Sequence, residues 1–169
     1  MNTSEVFLEA FGRITQLVRQ SVAGAGAEGL SYRPEPGANS IAWLVWHLTR
    51  IQDEHLSDAA GMEQAWITEG WHQRFGMDPD SHNTGRGHGP DEVAAILAVA
   101  ELLLAHHEGV AARSAAYLGT IDDAELDRII DRSYDPPVTV GVRLVSVISD
   151  NIQHAGQARY LRGIVDRLH

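Results

Sequence analysis

"SDNIQHAGQARYLRG", Ser149 to Gly163, has the length and composition of a core helix, yet it carries an aspartate and, one turn later, a histidine. Val147, Asp150, His154, Gln157, Leu161 and Ile164 advance by threes and fours. That spacing predicts one helix face with apolar ends and a polar middle turned inward. At i and i+4 two Cβ atoms stand about 5–6 Å apart. The Asp150 carboxylate and the His154 imidazole can therefore reach one divalent cation at ligand distances of about 2.0–2.2 Å. Spacing alone fits equally well a hydrogen bond between the two on a helix surface.

This helix is expected from about Val142 to Leu168, and three others precede it. From Ser4 to Ala23, Val6, Phe7, Ala10, Phe11, Ile14, Leu17 and Val18 recur with amphipathic spacing. "SYRPEPGANS" ends that pattern with two prolines and a glycine, and Asn39 or Ser40 can cap a second helix from Ile41 to about Ala60. Its apolar positions are Ile41, Leu44, Leu48 and Ile51. Pro90, followed by Asp91 and Glu92, suits the start of a third helix running to about Leu118, with Val93, Leu97, Ala100, Leu104 and Ala111 as its stripe. The connection from Gly61 to Pro90 is long enough to favour a binding or lid role. A short helical turn is expected at "DDAELD", and no run alternates with period two for long enough to read as a strand. The expected fold is all-α: a single domain over residues 1–169, an antiparallel four-helix bundle with a long helix 2 to helix 3 connection.

Composition narrows the chemistry. Thirteen basic against 23 acidic side chains give a formal charge of −10, which disfavours nucleic acid and anionic membrane surfaces as partners. The absence of cysteine removes disulfides, thiolate metal sites and a protein thiol nucleophile together. No stretch approaches the roughly 18–20 apolar residues of a membrane span, and the first residues lack a basic segment followed by an apolar run. A cytoplasmic protein is the expectation. Every basic residue is arginine, a bias that points to a GC-rich genome of actinobacterial type.

His47 supplies a third candidate ligand, because it lies beside Leu44, Leu48 and Ile51 rather than among Arg50 and Asp53. Around a divalent cation His47, Asp150 and His154 would satisfy one another, and three protein ligands leave a coordination position open, the catalytic arrangement. A core histidine satisfied by other partners fits His47 as well. His55, two turns beyond His47, His107 on the third-helix stripe, and Gln157 are candidates to hydrogen-bond a ligand or to move a proton. "HNTGRGHG" lacks a phosphate-binding lysine and a preceding strand and reads as a flexible loop; the four tryptophans read as packing residues.

The segments "SIAWLVWHLTRIQDEHL", "EGWHQRFGM" and "DNIQHAGQARYLRG" together resemble the DinB-like four-helix metalloprotein superfamily, over nearly the whole chain. Within it, the carboxylate-x-x-x-His form of the last helix is similar to the mycothiol-dependent branch, which includes the mycothiol S-transferases and maleylpyruvate isomerase. The isomerase has glutamate where Asp150 stands. The resemblance implies that His47, Asp150 and His154 are the metal ligands. It also implies that zinc activates a low-molecular-weight thiol such as mycothiol for attack on an electrophilic small molecule, as in detoxification. Zinc at the thiol sulfur would lower a free-thiol pKa of about 8.5, so that the nucleophile is brought by the cosubstrate. Two other readings of the same residues are a two-His-one-carboxylate iron enzyme and a non-catalytic or stress-related metal-binding protein of this fold. Relatives that pair through helices make a homodimer a further expectation.

Overall fold

The computed structural model describes residues 1–168. Its elements in chain order are α1 (Thr3–Val22), α2 (Ala27–Ser31), α3 (Ile41–Ala60), α4 (Ala65–Thr68), α5 (Trp71–Arg74), α6 (Pro90–Ala95), α7 (Ala100–Leu118), α8 (Asp123–Leu126), β1 (Ile129–Asp131), β2 (Val138–Thr139) and α9 (Val140–Leu168). The architecture is mostly helical. Of the four long helices, α3 packs against α9 and α7, and α1 packs against the same two.

Local chemistry sets where these helices begin. Asn2 and Glu5 form a reciprocal capping box, with the Glu5 amide donating to Asn2 Oδ1 at 2.9 Å and the Asn2 amide to Glu5 Oε2 at 2.8 Å. Ser40 Oγ accepts from the Trp43 amide at 3.1 Å and opens α3, and Gly61, at φ 65°, closes it in the left-handed conformation. Pro90 occupies the first turn of α6, where the Glu92 carboxylate accepts from the Gly89 amide at 2.8 Å.

Helix α3 departs from the amphipathic expectation. Every residue from Ile41 to Asp53 is buried, including Arg50 and Asp53, which the sequence pattern placed on a solvated side. The cause is the segment between α3 and α6, which lies over the outer face of α3. Asp53 accepts the Ala65 and Trp66 amides at 2.9 and 2.8 Å, and Arg50 donates to the Ser81 and Asn83 carbonyls at 3.0 and 3.3 Å. The Arg50 guanidinium also lies 4.5 Å from the Trp66 ring centroid. Burying the two charges is tolerable because each meets the other, 3.3 Å apart, together with backbone partners.

Three further differences have local causes. The expected third helix is two helices, broken at residues 96–99 between the β-branched Ile96 and Val99, both of which take extended ψ values there (88° and 157°). The break shifts the phase of the buried stripe, so Leu97 is exposed while Leu103, His106, His107, Val110, Ser114 and Leu118 face the core. A two-stranded hairpin pairs Ile129 with Thr139 and Asp131 with Val138; strands of three and two residues are too short for alternation to show. On α9 the buried stripe is Val140, Leu144, Val147, Asn151, Ala155, Ala158, Leu161 and Val165. Asp150, His154 and Gln157 lie one residue of helical rotation away, at the edge of that stripe rather than in the middle of the core.

A polar relay that the sequence pattern did not suggest crosses the core. Asn151 Nδ2 donates to Gln52 Oε1 at 3.1 Å, Gln52 Nε2 donates to Ser114 Oγ at 2.9 Å, and Ser114 donates to the Val110 carbonyl at 2.9 Å. It ties α9, α3 and α7 together amid apolar packing, where large side chains such as Trp46, Leu44 and Leu48 each contribute roughly 1.5–3 kcal/mol through burial.

Candidate metal centre

Helix α3 presents His47 and helix α9 presents Asp150 and His154 to one point, where one ligand atom from each lies within 4.8 Å of the others. His47 Nε2 stands 3.9 Å from Asp150 Oδ2, and His154 Nε2 stands 3.6 Å from Asp150 Oδ1. Those separations are too long for hydrogen bonds. They approach the spacing of about 3.4 Å between donors that share one tetrahedral ion. Asp150 Oδ2 is buried and has no hydrogen-bond partner, so the cluster contains an acceptor that the protein itself leaves unsatisfied.

Both imidazoles are oriented from behind. His47 Nδ1 lies 2.5 Å from the Thr84 carbonyl oxygen, and His154 Nδ1 lies 3.0 Å from Gln157 Oε1. Each acceptor calls for a proton on Nδ1, which leaves the Nε2 lone pair of both rings toward Asp150. Burial pushes the His47 pKa down, against the Thr84 hydrogen bond that raises it, and the neighbouring His154 lowers it further. A neutral imidazole is the form that binds a metal. Trp43 stacks on His47 with ring centroids 4.6 Å apart and meets the edge of His154 at 6.2 Å.

The carbonyl behind His47 comes from the "HNTGRGHG" stretch, which is a packed strap and not a free loop. Thr84 and Gly85 are buried, and Gly85, at φ +91°, sits so close that a Cβ there would lie 2.8 Å from Trp46 Cζ3 and 3.2 Å from His47 Nδ1. Trp43 Nε1 donates to His88 Nδ1 at 3.2 Å, and His88 Nε2 contacts Asn83 Oδ1 at 3.0 Å, pinning the far end of the strap. The glycines were the available sequence signal: they permit a close backbone approach rather than phosphate binding.

The other sequence candidates separate. Gln157 reaches His154, as described. His107 is remote from the cluster: its Nδ1 donates to Thr49 Oγ1 at 3.0 Å, because the Thr49 hydroxyl is already donated to the Val45 carbonyl, and its Nε2 accepts from Thr15 at 3.1 Å. Burial holds its pKa at about 4, that of a satisfied core histidine. His55 lines a cavity of about 340 Å³ that also touches Asp150, Arg86, Arg143 and Tyr134. Burial first, then the Arg143 and Arg86 charges, lower His55 to about 4. All four tryptophans are buried packing residues.

An all-α, DinB-like fold that brings two histidines and a carboxylate to one point defines the class of protein. The family model described as mycothiol-S-transferase matches residues 7–167, and the chain belongs to that family. A solved structure described as a conserved protein of locus from Enterococcus faecalis is similar, with a TM-score of 0.89 and 30% identity over 98% of each chain. No curated protein matches. No helix among the described residues is long and apolar enough to cross a membrane.

Proposed function

We propose that this protein is a divalent-metal-dependent thiol S-transferase, with zinc as the metal and mycothiol or a similar small thiol as cosubstrate, built on an antiparallel four-helix bundle of the DinB type. The observation that carries the reading is the convergence of His47, Asp150 and His154 around the unpartnered Asp150 Oδ2. Family membership supplies the thiol. In this reading the two Nε2 atoms and the Asp150 carboxylate hold the ion, while Thr84 and Gln157 keep each imidazole in the ligating tautomer. Bound zinc would favour the thiolate form of the cosubstrate at neutral pH. Trp43 shields one side of His47 from water, and the cavity beside Asp150 leaves room for a second reactant. A chain without cysteine then needs no nucleophile of its own.

The test combines elemental analysis of the purified protein with mycothiol conjugation to a fluorogenic electrophile. The expected result is zinc near one equivalent, thiol-dependent turnover, and loss of both in His154→Ala. Fully metallated protein with no thiol-dependent turnover overturns the transferase reading. Iron in place of zinc would redirect it toward oxygen chemistry at the same ligands.

A further inference from the structure

The chain is strongly acidic, yet the 340 Å³ cavity beside Asp150 is lined by two guanidinium groups, Arg86 and Arg143. Arg143 is fixed there: its Nη1 donates to His55 Nδ1 at 2.9 Å, its Nη2 lies 3.6 Å from Asp131 Oδ2, and its side chain is 18% exposed. An arginine can only donate, so the His55 nitrogen that faces it is the bare acceptor of a neutral ring and brings no negative charge. Asp131 also accepts from the Ser133 amide and hydroxyl at 2.8 and 2.7 Å, which divides its charge between Arg143 and its own turn. Arg86 has no ion pair or hydrogen bond among the described residues. It projects from the strap between Gly85 and Gly87, both at positive φ, into the lining of this cavity. Ile51, Val138 and Val142 give the same cavity an apolar side.

Asp150 is the one carboxylate in the lining, and a cation held at its cluster would offset it; two guanidinium groups, one of them uncommitted, and an apolar wall then fit a small organic anion better than a neutral molecule. We propose that this cavity is the acceptor subsite of the transferase and selects electrophiles that carry a carboxylate, which Arg143 and Arg86 hold while the reactive carbon faces His47, Asp150 and His154. The inference rests on the transferase reading above. For an alkyl halide acceptor the step balances without a further reactant. The thiol proton passes to solvent, the sulfur electron pair forms the C–S bond, and the halide leaves with the pair of the broken carbon–halogen bond.

Iodoacetate and iodoacetamide are near-isosteric, the carboxylate of one replaced by a neutral amide in the other, and test the selection directly. With metal-loaded protein and mycothiol, kcat/KM corrected for the uncatalysed rates should favour iodoacetate by about tenfold. The preference should fall roughly threefold in Arg86→Gln, which removes an exposed group, and about tenfold in Arg143→Gln, with partial recovery in Arg143→Lys. Binding of unreactive butyrate and butyramide, followed by saturation-transfer NMR, reads the same subsite without turnover. Butyrate should bind more tightly than butyramide, keep part of that advantage in Arg86→Gln and lose it in Arg143→Gln. Turnover of both iodo compounds with no preference, or a butyrate preference that is unchanged in folded Arg143→Gln, overturns the subsite and leaves the transferase reading intact. Absence of turnover with either compound defeats the transferase reading, while the butyrate measurement still decides whether the cavity is an anion site.

Discussion

Gly85→Ala probes the strap and the candidate metal centre together, and Gly87→Ala is its internal control. Both glycines have positive φ, +91° and +83°, so either alanine meets a backbone penalty of about 1–2 kcal/mol. Only at Gly85 does the new Cβ collide, at 2.8 Å from Trp46 Cζ3, 3.0 Å from Trp43 Cζ2 and 3.2 Å from His47 Nδ1; at Gly87 nothing lies within 4 Å. Both indoles are buried, so the strap must lift, and overpacking of that kind adds about 1–3 kcal/mol. The expected losses are therefore roughly 2–5 kcal/mol for Gly85→Ala and 1–2 kcal/mol for Gly87→Ala. A gap of about 2 kcal/mol corresponds to roughly 4–8 °C in melting temperature at this chain length. Urea unfolding followed by tryptophan fluorescence measures the gap. Lifting the strap also withdraws the Thr84 carbonyl from His47 Nδ1, so a zinc competition titration should show affinity reduced about tenfold or more in Gly85→Ala alone. Equal stability of the two variants, or zinc affinity unchanged in Gly85→Ala, would refute the account of the strap as a support for His47.

Arg50→Met should destabilise the protein by about 3–5 kcal/mol, because it leaves buried Asp53 and the Ser81 and Asn83 carbonyls without their cation; chemical denaturation measures this. Asn151→Ala should cost about 2–3 kcal/mol in the same assay, from the lost bond to Gln52 and the small void beside it. His107 has a pKa of about 4 in the folded chain against 6.5 as its ordinary value, so the unfolded state binds the extra proton between those values. Stability is then complete above pH 6.5 and falls as pH drops toward 4, by up to about 1.4 kcal/mol per pH unit from this residue. Denaturation at a series of pH values should show that slope reduced in His107→Gln, and an unchanged slope would remove His107 from the acid response.

Much of this was legible in the sequence, for reasons that particular residues make plain. The long helices announce themselves through three-four spacing and, for α3, through the Ser40 cap; the Asn2–Glu5 capping box came from the structure. The convergence of His47, Asp150 and His154 was legible because a histidine among leucines on α3 and a carboxylate-histidine pair on α9 both demand partners. Arg50 and Asp53 were misplaced because periodicity sees one helix at a time, and their burial depends on a segment whose path no local pattern encodes. The break at residues 96–99 contains neither proline nor glycine, so only the demand to seat Ile96 in the core and send Leu97 outward reveals it. Support for His47 was hidden because it is a backbone carbonyl, Thr84, whose position follows from the path of the strap and not from any side-chain pattern.

The Asn151–Gln52 bond has a consequence for how α9 is indexed. Asp150 and Asn151 are neighbours, and a rotation of the helix by one residue, about 100°, would bring the carboxylate into the dry interior and the amide out to the rim. The amide has a complementary partner waiting in Gln52, and the carboxylate has none there. The pair thus works as a detent, making the neighbouring angular setting of the helix a high-energy one. A one-residue insertion or deletion between β2 and Asp150 should for this reason be far more damaging than the same change after His154, where only the remaining turns are displaced.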